Sequence, residues 1–118
     1  MTALDKLIEA VEAGEPSEFR KANRAAFTTP CQDMALQLRE EHSRHAFKGS
    51  VDAALALHEA LLPGRTLSVG QNAHHGDWNA WVRYAEDGEI LDEYTAASDT
   101  AGRSLLLAIL RAYRSVQA

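Results

Sequence analysis

The chain has a single cysteine, Cys31, among its 118 residues. One thiol excludes an intrachain disulfide and a thiolate metal cluster assembled within one copy. Long apolar runs are missing as well, and the longest, Leu105–Leu110, is far too short to cross a bilayer. Positive charge is scarce: 12 Lys and Arg stand against 17 Asp and Glu, for a net charge of −5. That balance argues against nucleic-acid binding by phosphate neutralisation and against docking on an anionic membrane. It is compatible with a protein partner that carries a basic patch. Asp5, Glu9 and Glu12 interrupt any apolar run near the start, so no signal peptide is expected and the cytoplasm is the expected location. Prolines number three, and neither a low-complexity segment nor an internal repeat is visible.

Apolar residues at 46% and charged residues at 25% are ordinary values for a globular protein and wrong for a disordered one. The expectation is one domain over residues 1–118, burying about two thirds of its unfolded surface. The strongest single segment is Asp99–Val116. Its Leu105, Leu106, Ile109, Ala112, Tyr113 and Val116 recur at helical spacing and form one broad apolar face. Ser98 or Asp99 is the expected N-cap, while Arg111 and Arg114 suit the negative end of the helix dipole. Burying this face would contribute on the order of 10 kcal/mol, an upper bound.

Four further helices precede it. Thr2–Ala13 carries the stripe Leu4, Leu7, Ile8, Val11, with Thr2 and Asp5 as a capping box and Gly14 as a stop. Pro16 opens a second helix to about Phe27, with Phe19, Ala22, Ala26 and Phe27 on its apolar side. Cys31–Phe47 is helical by propensity, with Met34, Leu38, His42 and His45 as its stripe. Ser50 caps Val51–Leu62, which Pro63-Gly64 terminates. The stretch 16–48 reads as a helical insertion or arm.

After Gly64 the period changes to two. Leu67 and Val69 mark a short strand, Gly70–Gly76 a polar loop, and Trp78–Ala85 and Glu89–Thr95 a hairpin closed by Asp87-Gly88. An Asp-Gly loop needs positive φ at both positions and sets a register. With these two residues as the loop, Arg83 faces Asp92, Trp81 faces Tyr94, Val82 faces Glu93 and Tyr84 faces Leu91. Both faces of such a sheet are partly apolar and want cover from helices or from another subunit. The expected fold is α+β, a small three-stranded antiparallel sheet layered with about five helices.

SVDAALALHEALLPGRTLSV (Ser50–Val69), WNAWVRY (Trp78–Tyr84), Gly88 and TAGRSLLLAILRAYRS (Thr100–Ser115) together resemble the phage ABA sandwich domain family. These are small phage and prophage proteins with an α-β-α layered fold. The shared pattern is a Ser-capped DAALAL helix, a Pro-Gly stop, a short Trp-bearing sheet and an Ala/Leu-rich final helix. It covers roughly the second half of the chain and, more loosely, the first helix. Arg65 stands where the family usually has an aromatic, and 16–48 is longer and more helical than the usual linker. The resemblance implies a fold and a phage setting; it carries no catalytic residues.

Among chemistry-bearing side chains, His74-His75-x-Asp77 lies in the polar loop, His42-x-x-His45 has helical metal-pair spacing, and His58 could pair with Cys31. Each has a plainer structural reading, and no cofactor or metal is expected. The aromatic pair is the stronger candidate: Trp81 and Tyr94 as an anchor at a partner interface, with Arg83 and Asp92 as its polar rim. Arg20, Lys21 and Arg24 form a second, weaker candidate surface. The functional expectation is a non-enzymatic phage- or prophage-type protein that binds another protein, one version being an inhibitor of a bacterial defence system such as CRISPR–Cas. The alternatives are a homo-oligomeric accessory protein pairing through the face of Trp81, and a histidine-metal enzyme.

Overall fold

The computed structural model describes residues 1–27, 34–72 and 76–117. Five helices and a three-stranded antiparallel sheet follow one another as α1 (Ala3–Ala13), α2 (Pro16–Phe27), α3 (Met34–Phe47), α4 (Val51–Leu61), β1 (Thr66–Gln71), β2 (Trp78–Glu86), β3 (Glu89–Ser98) and α5 (Ala101–Gln117). The fold is α+β, as the change of period after Gly64 implies.

Local chemistry sets the element ends. At α1 the capping box forms in full: the Asp5 N–H donates to Thr2 Oγ1 at 3.1 Å and the Thr2 N–H to Asp5 Oδ2 at 3.0 Å. Gly14 ends the helix in the left-handed region at φ 72°. Ser50 Oγ accepts from the Ala53 N–H at 3.1 Å and starts α4. At α5 the expected cap is displaced. Strand β3 runs on through Ser98, so the helix begins later, and Thr100 Oγ1, not Ser98 or Asp99, accepts from the Arg103 N–H at 3.1 Å.

Helix α5 is the centre of the molecule. It packs on all three strands on one side and on α1, α3 and α4 on the other. Residues Ser104–Leu110 are consequently buried all round, Leu107 and Leu110 included, instead of along one stripe. Val116, expected on that stripe, lies beyond the sheet's cover and is exposed. The stripe expected on α3 is also overturned. Met34 and Leu38 are exposed, and the helix, in contact with α2, α4 and α5, buries Ser43, Ala46 and Phe47 near its C-terminal end. Phe19, Asn23 and Phe27 of α2 are buried in the same core.

Strand order is β1-β2-β3. Asp87 and Gly88 take φ values of 53° and 80°, the paired positive values that an Asp-Gly hairpin loop demands. Next to the loop the expected register holds, with Glu86 opposite Glu89 and Ala85 opposite Ile90. A β-bulge then intervenes between Tyr84 and Ala85 and shifts every later pair by one. Tyr84 faces Asp92, Arg83 faces Glu93, Val82 faces Tyr94 and Trp81 faces Thr95.

Candidate functional site

A one-residue slip sends alternate side chains to the opposite face, so the bulge dismantles the expected aromatic pair. Tyr94 shares its face with Val82 and packs, half-buried, against the core beneath α5. Trp81 stands on the other face. Arg83 follows it there and Asp92 does not, since Asp92 pairs with Tyr84. Of the four residues expected to form one surface, Trp81 and Arg83 belong to the outer face and Tyr94 and Asp92 to the inner one. The sequence cannot reveal this, because an Asp-Gly loop specifies pairing only up to the first irregularity.

The outer face has its own order. The guanidinium carbon of Arg83 lies 3.8 Å from the Trp81 ring centroid, a cation–π contact. Arg83 Nε donates to Glu93 Oε2 directly across the strand pair. Thr66, Ser68, Asn79, Thr95 and Ala97 complete the face and are exposed. Toward the loop the hairpin turns acidic: Glu86, Asp87, Glu89, Asp92 and Glu93 fall within eight consecutive residues and all are exposed. Ile90 and Leu91 lie exposed among them, and the Arg65 guanidinium approaches the neighbouring Tyr84 ring at 5.2 Å. This acidic, partly apolar tip was legible as a carboxylate-dense stretch around Asp87-Gly88, beyond the four residues singled out from the register.

The basic cluster on α2 is divided. Arg20 lines a cleft between α2 and α3, whereas Lys21 lines a separate hollow between α1 and α2 beside Lys6, Glu9 and Glu18. Arg24 lies one turn beyond Arg20 on the same helix and has an interaction partner.

The histidines do not gather. Among the described residues, no group of three His, Cys, Asp or Glu side chains could hold a metal ion. His45 Nε2 sits 3.8 Å from Glu41 Oε1 on the exposed side of α3. His58 is 1% exposed, and its Nε2 has no hydrogen-bond partner among the described residues. Burial holds its pKa below the ordinary histidine value. Cys31, His74 and His75 lie outside the described residues. No helix among the described residues is long and apolar enough to cross a membrane. No protein-family model matches the chain, and neither the curated proteins nor the solved structures searched yield a match.

Proposed function

We propose that the chain is a non-catalytic protein-binding module of phage or prophage type, which docks a partner bearing a basic patch through the outer face of its sheet and the acidic end of the β2–β3 hairpin. The observation that carries this reading is the pairing of an open, Trp81-bearing sheet face with five exposed carboxylates and exposed Ile90 and Leu91 at the hairpin end. Aromatic and Arg side chains are the common anchors of such contacts, and complementary charge raises the rate of encounter. The phage setting rests on the family resemblance, and inhibition of a host defence component is one specific form that small size, acidity and that setting allow.

Affinity capture from bacterial lysate with wild-type protein and a Trp81→Ala, Glu89→Lys double variant tests it. The expected outcome is a basic protein retained by wild type, released by moderate salt and lost with the variant. Identical captured sets for the two proteins would overturn the proposal. Self-pairing through the face of Trp81 is the second reading, favoured by the exposed Thr66, Ser68, Asn79, Thr95 and Ala97 that surround the ring. Light scattering separates the two: a dimer that Trp81→Ala converts to monomer supports self-pairing, and a monomer at all concentrations removes it.

A further inference from the structure

The acidic chain gathers cations in one place. A cleft of about 250 Å³ between α2 and α3 is lined by Arg20, Arg44, Lys48 and Arg103, with Glu40 as the single carboxylate among its lining residues. Its apolar wall is a stack of Phe19 on Phe47, ring centroids 4.0 Å apart and planes within 5°. Arg103 is held in place from three directions. Its Nε donates to the Phe47 carbonyl at 3.1 Å, its Nη1 to Asp99 Oδ1 at 3.2 Å, and its guanidinium carbon lies 4.2 Å from the Phe47 ring centroid. Its Nη2 donates to nothing among the described residues. Arg20, Arg44 and Lys48 form no ion pair among the described residues.

Asn23 supplies the second, independent observation. It lines the same cleft, is 1% exposed, and its Nδ2 donates to the Glu40 carbonyl at 2.9 Å. Its Oδ1 is buried and accepts from nothing among the described residues. A buried acceptor without a donor is a costly arrangement, and a turn of the Asn23 side chain that brings Oδ1 into the cleft, where a ligand O–H can reach it, would relieve it. With Glu40 offsetting one cation and Asp99 another, an excess of about two positive charges remains, which matches a phosphate monoester near neutral pH. The volume equals that of roughly eight liquid waters, room for a small ligand and not for a cofactor the size of a dinucleotide.

We infer that this cleft binds a phosphate monoester of a small hydroxylated molecule, with Arg20, Arg44, Lys48 and Arg103 Nη2 holding the phosphate and the Asn23 side chain turning to present Oδ1 to a ligand hydroxyl. Arg44 and Lys48 also sit at the C-terminal end of α3, where any cation offsets the helix dipole. A purely dipolar role predicts a stability effect and no ligand.

Glycerol 3-phosphate is the smallest probe that carries both groups, and calorimetric titration with heteronuclear NMR reads the outcome. Expected are saturable binding with Kd below about 1 mM, weaker binding of inorganic phosphate and of succinate, and shifts at the Asn23 side-chain amide and Arg103 Nε. Arg44→Gln with Lys48→Gln is expected to weaken binding at least about tenfold, and Arg20→Gln serves should that double variant not fold. No saturation by about 10 mM probe, equal affinity for inorganic phosphate or succinate, or affinity unchanged in the folded variants would each overturn the assignment.

Discussion

Gly102 presses its α-carbon against Gly49 so closely that a Cβ on it would lie 2.3 Å from the Gly49 carbonyl carbon and 2.7 Å from the Ser50 nitrogen. The start of α5 therefore crosses the start of α4 backbone to backbone. The obstacle is main chain, which cannot rotate away as a side chain does. Gly102→Ala is expected to cost about 1–3 kcal/mol or more despite the better helix propensity of alanine. Urea denaturation checks it, and an unchanged midpoint would show that the two helix starts are free to separate.

His58 makes stability depend on pH. Burial favours its neutral ring in the folded state, so as pH falls below about 6.5 the unfolded chain takes up the proton first. Stability is full above that value and declines below it until the folded ring also protonates, with a slope of at most about 1.4 kcal/mol per pH unit. Asp5, held low chiefly by the Thr2 N–H, and Glu15, held low chiefly by the Glu18 N–H, lose their contributions only in a more acidic range. Between about pH 5 and 7, where histidines titrate, His58→Gln is expected to flatten the decline in unfolding midpoint.

Tyr94 and Trp81 should respond differently to truncation. Tyr94 packs against the core, and Tyr94→Ala is expected to lose about 2 kcal/mol of stability, below the value for a fully buried aromatic. Trp81→Ala is expected to act mainly on docking. Measuring unfolding and partner capture on the same two variants checks the division, and a reversed pattern would place the binding face under α5.

Arg83 and Glu93 are opposed across β2 and β3, with about a third of each side chain exposed. A double-mutant cycle with Arg83→Ala and Glu93→Ala is expected to return a coupling of about 0.2–1 kcal/mol that shrinks at high salt. Zero coupling between Arg83 and Glu93 together with coupling between Arg83 and Asp92 would restore the unbulged register.

Arg103 ties α5 to the end of α3 and to the β3–α5 turn through one guanidinium. Arg103→Lys keeps the charge and loses the planar fork that reaches Phe47 and Asp99 together, and it is expected to cost about 1–2 kcal/mol. Thermal unfolding checks it.

Helix identity was legible wherever apolar spacing and capping chemistry agreed, as in α1 with Thr2, Asp5 and Gly14 and in α4 with Ser50. The α3 stripe misled because Met34 and Leu38 are apolar yet find no neighbour, while Ser43 is polar and fully buried. Of the α2–α3 cleft only Arg20 was legible, and with the wrong companions: its cations come from positions 20, 44, 48 and 103, and only folding makes them neighbours.

By itself the sequence determined the α+β class, the order of elements, the positive-φ turn at Asp87-Gly88 and the dominance of the final helix, because these follow from periodicity and from backbone geometry within a few residues. Tertiary structure alone decided that α5 is wrapped on all sides, that Trp81 and Tyr94 part company, and that Asn23 lines one cleft with four cations. Those outcomes turn on one bulge and on the close approach of distant segments, where a displacement of a single residue exchanges one face of a strand for the other.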